Sequence, residues 1–423
     1  MDPGNGVEQM VNVAAKASMS QAMIHRFLRG ITRGHLVVED ATGIHAFGVK
    51  ESAVSSSSSV SIPAPLASIT VTDMQMYGDI ARRGSIGAAE SYMKGYWTSP
   101  DLVQVIRVFV ANRALLTQMD STFARLLMPF WKVAHWFRRN NRDGSKKNIV
   151  AHYDLGNDFF KTFLDETMMY SAAIFERPEV TLAEASRAKL DRICRKLELK
   201  PTDHVVEIGT GWGGFAIHAA QNYGCRVTTT TISEEQFALA TERVKAANLQ
   251  DKITIVQDDY RDLPKRGTFD KLVSIEMIEA VGARYLDQYI NVCSRLLKPD
   301  GAAVIQAITI ADQEYDRALH SVDFIQKYIF PGSFIPSVTA IIDAMARSSD
   351  MRLVDLDDIT MHYVETLHRW RVSFTKNLPA IRSLGLGDEF IRMWEFYFCY
   401  SEGGFTERAI GDVQLHFKKP LCR

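Results

Sequence analysis

Cysteine is scarce in this chain, and the five present, Cys194, Cys225, Cys293, Cys399 and Cys422, are scattered without CxxC spacing. That excludes an encoded zinc cluster or disulfide framework and leaves five free thiols. Long apolar runs are missing as well. The longest, such as Ala302 to Ile310, fall far short of the about 20 residues that span a bilayer, and Gln306 breaks that one. No transmembrane helix is expected. The chain opens MDPGNGVEQM, with acids early and no basic segment ahead of an apolar one, so no secretory leader is expected and a cytoplasmic address is. Net charge is only −1 over 423 residues. A broad basic surface for tracking nucleic-acid phosphates is therefore not expected either.

What is present is ordinary globular composition, 46% hydrophobic and 23% charged, with length for two or three domains. The charge is unevenly shared: residues 1–150 hold 17 Lys and Arg against 11 Asp and Glu, and the remainder 32 against 39. Within the basic front, MPFWKVAHWFRRNNR (Met128 to Arg142) sets cations among aromatics. A solvated helix face accounts for such a run, and so does attraction to an anionic surface such as phospholipid headgroups. Residues 1–20 are expected to be a flexible tail and Ser55 to Ser59 a loop. The alternating runs His35 to Asp40 and Gly43 to Gly48 predict a hairpin. Strand patterning resumes at Ala67 to Thr72, and apolar residues recurring at helical spacing after Asp101 predict a helix. A small α+β domain over residues 21–140 followed by a catalytic domain over residues 141–423 is the expected organisation.

From about Lys200, short buried strands alternate with helices, the pattern of a parallel sheet covered on both faces. Strands are expected at His204 to Gly209, at Arg226 to Ile232, in KITIVQDD and KLVSIEM, and after the turn Pro299-Asp300-Gly301. Ser233 and Gln236 have the spacing of a capping box. Past Ile310 the chain reads as helical and aromatic. The first strand leads into EIGTGWGG (Glu207 to Gly214), where Gly209 and Gly211 let the backbone approach a ligand. Gly209, Gly211 and Gly214 also fit GxGxxG, which dinucleotide folds share. A nicotinamide site wants an acid at the end of the second strand, where this chain has TTTTIS. Here the acid, Glu207, precedes the glycines, placed to meet the amino group of a methionine moiety, with Asp258 or Asp259 placed to meet an adenine. The pattern favours S-adenosylmethionine.

GSIGAAESYMKGYW (Gly84 to Trp97), KNIVAHYDLGNDFF (Lys147 to Phe160), YSAAIF (Tyr170 to Phe175), SIEMIEAVG (Ser274 to Gly282), FIQKYIFPG (Phe324 to Gly332), HYVETLHRW (His362 to Trp370) and GDVQL follow in that order. In these segments the chain resembles the cyclopropane fatty acyl phospholipid synthase family, which takes in the mycolic acid cyclopropane synthases and plant enzymes. EMIEAVG together with Gln306 is similar to its plant-like branch. The resemblance implies a Rossmann-like class I methyltransferase fold of α/β type, with a smaller N-terminal α+β lipid-binding domain and helical insertions. It implies S-adenosylmethionine-dependent transfer of a methyl or methylene group to the cis double bond of an unsaturated acyl chain in a phospholipid. The protein would sit peripherally at an anionic inner membrane face, with a homodimer among the expected assemblies. Around the cofactor the resemblance places Tyr170, Ser171, Gly209, Gly211, Thr231, Ser233, Gln236 and Tyr260, and the expected cofactor set adds Glu207, Gly213 and Asp259.

An isolated alkene is a poor nucleophile, so its alkylation leaves a carbocation that water would quench and that a base must finally deprotonate. In the family that base is a bicarbonate held by a cysteine, a glutamate, a histidine, a backbone amide and a tyrosine. Glu279, Ile308 and Tyr363 match the glutamate, the backbone and the tyrosine, whereas Ala172 and Gln306 stand where many members have the cysteine and the histidine. Ser401 stands in place of a C-terminal cysteine, so a thiolate nucleophile is not essential here. His152 is a candidate only through its place in the HYDLGN motif. The expected catalytic set is thus Glu279, Tyr363, Gln306, Ile308 and Ser401, with bicarbonate in question. Two alternatives stay open: a methyl-branched, methylene or furan-precursor fatty acid as product, and an inactive lipid-binding homologue.

Overall fold

The computed structural model describes residues 19–49, 62–116, 155–263 and 266–423. Residues 1–18, the serine loop, the basic aromatic run, His152 and the expected boundary at residue 140 lie outside them. The chain gathers into two units. The first comprises Met1–Ala134, Asp323–Tyr328 and Gly385–Glu407, and the second His135–Val322, Ile329–Leu384 and Arg408–Arg423. Two late segments therefore fold with the front of the chain.

In the first unit, β1 (His35–Asp40) and β2 (Gly43–Gly48) form the expected hairpin, and β3 (Leu66–Val71) runs parallel to β1. The short β4 (Trp97–Thr98) completes the order β2-β1-β3-β4. Asp40 locks the hairpin. It accepts from the Thr42 N–H and hydroxyl (2.8 and 2.6 Å), from Gln21 Nε2 (2.7 Å) and from the Tyr77 hydroxyl (2.5 Å), so it has no free acceptor to offer beside His25 and His45. The helix Leu102–Ala111 is capped by Asp101, and its Ile106 meets Gly403 of the helix Asp388–Thr406, where a Cβ would come within 2.7 Å. Arg107 donates to Glu407 (2.7 Å) and to the Pro63 carbonyl (2.7 Å).

The second unit holds β5 (His204–Ile208), β6 (Arg226–Thr230), β7 (Ile253–Val256), β8 (Phe269–Ile275), β9 (Leu297–Ile310), β10 (Arg352–Asp358) and β11 (Ile410–Lys418), in the order β10-β11-β9-β8-β5-β6-β7. Strands β5 to β9 are parallel, as the alternation past Lys200 predicts, and β11 is antiparallel to β9. One buried cluster brings the helices Leu182–Lys196 and Gly214–Tyr223 onto the sheet through Leu190, Ile193, Phe215 and Ala219. Another does so for the helices Leu286–Leu296 and Val338–Ser348 through Ile290, Leu296, Ile341 and Ala344.

Three expectations are corrected. The turn Pro299-Asp300-Gly301 is absorbed into β9 as a register shift against β8, because Leu297 already pairs with Phe269 before the turn. The region past Ile310 is not helical throughout: β10 and β11 return to the sheet, and β11 is buried on both faces, which erases the alternation that marks a half-exposed strand. The capping box at Ser233 is half made. Ser233 accepts from Gln236 N–H (3.3 Å), but the Gln236 side chain accepts from the Thr231 hydroxyl instead (2.8 Å).

Arg107 and Glu407 are both almost fully enclosed. Arg107→Met leaves that carboxylate buried without its cation and is expected to cost about 3 kcal/mol, measured as a lower urea midpoint at unchanged slope.

Candidate active site

β5 carries Glu207 and the glycine turn to the carboxyl edge of the sheet, between β8 and β6, where doubly wound folds bind their ligands. The turn requires glycine: φ is +98° at Gly209, +50° at Gly211 and +84° at Gly213. The N–H groups of Gly209 and Thr210 both donate to the Thr230 carbonyl (3.1 and 3.0 Å), which pins the turn to β6. A Cβ on Gly211 would meet nothing within 4 Å, so the turn faces open space. Glu207 is buried with Oε2 unpartnered, and burial pushes its carboxyl up to about 8. An orphaned carboxylate oxygen beside a glycine cradle and a helix N-terminus fits S-adenosylmethionine, which carries an ammonium and a carboxylate.

The other expected cofactor residues stand nearby in sequence and fold. Thr231 and Ser233 are buried after β6 with Gln236 bonded to them. Asp259 turns both carboxylate oxygens to Arg261 (2.8 and 2.5 Å), and Arg261 lies over the Tyr260 ring. Tyr170 belongs to an aromatic wall, 5.5 Å from Phe160 and 5.2 Å from Trp370 between ring centres, and Trp370 in turn lies 6.1 Å from Tyr363. Such faces can stabilise a cation through their quadrupoles.

At the end of β8 the chain makes a nest of acids. Glu276 sits at φ +47°, a left-handed conformation that costs a non-glycine residue roughly 1–2 kcal/mol. Its Oε1 accepts from the Ala172 N–H (2.8 Å) and Gln306 Nε2 (2.8 Å), and its Oε2 from the Tyr363 hydroxyl (2.7 Å). Glu279 Oε1 accepts from the Ile308 N–H (2.6 Å), while its Oε2 has no partner. Burial first, and the Glu276 charge second, push Glu279 up to about 8. From β11, Asp412 accepts from the same Gln306 Nε2 (3.2 Å), and Gln414 Nε2 donates to Gln306 Oε1 (3.0 Å). Burial and then the neighbouring Glu276 and Glu279 raise Asp412 well above the usual carboxylate range. Lys189 is fully buried and donates to the Ser171 hydroxyl (2.6 Å), and burial pulls its ammonium down to about 8 against the fields of Glu276 and Asp412.

The fold thus brings Glu279, Tyr363, Gln306 and the Ile308 N–H together. Ser401 is buried on the helix Asp388–Thr406, within the first unit. Ala172 contributes through its backbone, which no reading of its side chain reveals. Sequence reasoning missed Glu276, Asp412, Gln414 and Lys189. Glu276 was visible as the first acid of EMIE, and Asp412 as the acid of GDVQL. Only the pairing of β11 with β9, which sets Gln414 opposite Gln306 and Asp412 opposite Ile308, shows that they share one site.

The family described as mycolic acid cyclopropane synthetase matches residues 140–415. The chain is 41% identical over 333 residues to the tuberculostearic acid methyltransferase UfaA1 of Mycobacterium tuberculosis, covering 77% of each protein. It is 36% identical over 357 residues to the cyclopropane-fatty-acyl-phospholipid synthase of Escherichia coli strain K12, covering 84% of this chain and 88% of that one. The structure of the mycolic acid cyclopropane synthase CmaA1 complexed with SAH and CTAB superimposes with a TM-score of 0.60 at 28% identity, covering 65% of this chain and 98% of that one.

Glu207→Gln is expected to weaken S-adenosylhomocysteine binding about tenfold. The free carboxyl titrates near 8, so it is protonated at about pH 7 and ionises when it meets an ammonium. Wild-type binding should therefore release protons and strengthen as pH rises toward that value, a dependence the variant lacks. Calorimetry in buffers of different ionisation heat measures both.

Proposed function

We propose that this chain, which belongs to the mycolic acid cyclopropane synthetase family, transfers a one-carbon unit to the cis double bond of an unsaturated acyl chain carried in a phospholipid. It is an S-adenosylmethionine-dependent methyltransferase, of the class that methylates or cyclopropanates lipid acyl chains. The cofactor supplies an electrophilic methyl group on a sulfonium sulfur. Glu207, the glycine turn, Thr231, Ser233 and Gln236 hold it, and Tyr170 and Trp370 wall off water and face the developing positive charge. The observation that carries the reading is the nest itself: acids held by Ala172 N–H, Ile308 N–H, Gln306 and Tyr363 are what a reaction ending in proton loss requires. The basic excess of residues 1–150 suits a peripheral position at an anionic membrane surface. In the described residues no helix is long and apolar enough to cross one.

A second reading, a methyl-branched or methylene product in place of a ring, is favoured by Ala172 and Gln306 at the positions of the cysteine and histidine, and by the 41% identity to a relative named as a methyltransferase. Ring and methylated alkene are isomers of equal mass. Ozone cleavage, which cuts only the alkene, and the upfield ring protons in NMR tell them apart.

Incubation with methyl-labelled cofactor and monounsaturated phosphatidylglycerol vesicles is expected to place label in the acyl chain. Absence of label despite cofactor binding would make the chain a lipid-binding homologue. Glu279→Gln is expected to lower kcat about 100-fold while binding of S-adenosylhomocysteine is kept.

A further inference from the structure

We propose that Glu276 is the resident base of this enzyme, standing where an external bicarbonate would otherwise be bound and sharing one proton with Asp412. The inference rests on the acyl-chain reading above and names the group that ends its reaction. Three observations converge on it.

The donors are taken. Ala172 N–H, Gln306 Nε2 and the Tyr363 hydroxyl all point at the Glu276 carboxylate, the second N–H of Gln306 goes to Asp412, and the Ile308 N–H goes to Glu279. A bicarbonate does not fit this arrangement: it would have to displace a tethered carboxylate and then sit among Glu276, Glu279 and Asp412. The missing side chains become intelligible too, since Ala172 still donates through its backbone. The backbone is strained to hold the carboxylate, with φ +47° at a position where glycine would be relaxed. Lastly, Glu276 keeps part of its surface accessible while Asp412 is fully buried, so one acid lines the site and the other backs it.

Asp412 and Glu276 take the same amide nitrogen, Gln306 Nε2, at 3.2 and 2.8 Å, which sets the two carboxyl groups side by side. Two carboxyl groups so close and so enclosed cannot both be ionised, and the pair keeps one proton. Asp412, the more enclosed, holds it; burial raises Glu276 as well, but the field of Lys189 from the helix Leu182–Lys196 and the donors Ala172 N–H, Tyr363 and Gln306 work against that and favour its anion.

Once the acyl chain is alkylated, one carbon of the former double bond is electron-deficient. Glu276 takes a proton from a neighbouring C–H. The electron pair of that bond becomes the third side of a ring when the hydrogen belongs to the new methyl, or a new C=C when it belongs to the chain. The pair of acids then holds two protons, and one leaves to water with the product. No oxidant or reductant enters.

The test follows label transfer to monounsaturated phosphatidylglycerol in buffer stripped of carbon dioxide and in the same buffer with bicarbonate. Wild-type turnover is expected to agree within about twofold between the two; a drop of about tenfold on stripping, restored by bicarbonate, would overturn the proposal. Glu276→Gln, which keeps the shape, and Glu276→Gly, which relaxes the backbone and vacates the donors, should each lower kcat about 100-fold with S-adenosylhomocysteine binding intact. Added bicarbonate or formate should restore activity to the glycine variant only. Unchanged turnover in both variants would count against the base. Asp412 is read separately as a positioning residue: Asp412→Asn should remove one carboxylic-acid C=O band from the infrared spectrum and move the acid limb of the kcat/KM profile to higher pH, because the acid O–H that stabilises the Glu276 anion gives way to a weaker amide donor. An unchanged spectrum would overturn the shared proton. No label transfer by the wild type in either buffer would instead sink the acyl-chain reading, while the infrared result still decides who holds the proton.

Discussion

Four acids, Glu207, Glu276, Glu279 and Asp412, are drawn into the second unit away from bulk water, and the buried ammonium of Lys189 reaches three of them, Glu207, Glu276 and Asp412. Carboxylates in that situation cannot all be ionised, because burial penalises each charge and each charge penalises the next. The fold answers with directed donors and retained protons. Backbone N–H groups of Ala172 and Ile308 and the side chains of Gln306 and Tyr363 do the holding, and Glu207 Oε2, Glu279 Oε2 and Asp412 Oδ1 remain unpaired.

The frame that makes this possible is β11. It enters the sheet beside β9, more than a hundred residues later in the chain, and the register sets Gln414 opposite Gln306. Gln306 then has both N–H groups and its oxygen committed, so its amide has one orientation and presents one hydrogen to each of two acids. The helix Thr360–Lys376 completes the enclosure from the other side. On one of its faces the Tyr363 hydroxyl donates to Glu276, the Thr366 hydroxyl accepts from the Ala173 N–H (3.0 Å) and Trp370 joins the aromatic wall. The segment Tyr170 to Phe175 is thereby held by the same helix that holds the base.

The first unit is built on other grounds. Asp40 saturates its hairpin and the buried Arg107–Glu407 pair joins the helix Leu102–Ala111 to the end of the helix Asp388–Thr406. The late helix Asp388–Thr406, with Ser401 on it, folds with these early residues.

The local signals were sufficient for the parallel strands β5 to β9, for the glycine turn with Glu207 ahead of it, and for the hairpin of β1 and β2, since all are written in residues a few positions apart: alternation, glycine spacing, turn chemistry. They were enough also for Glu279 and Tyr363, through motifs that stand intact. The strands β10 and β11 left no such mark: β11 is covered on both faces and so loses its period, while β10 is a largely exposed edge strand rich in acids. Glu276 could be seen as a residue but not as an occupant, since a carboxylate's role depends on which donors reach it, and those come from residues 172, 306 and 363. Local residue pattern determined the class of fold and the cofactor edge; which acid fills the anion position, and which acid lends it a proton, was decided only when distant strands paired, because desolvation and hydrogen bonding act through space and not along the chain.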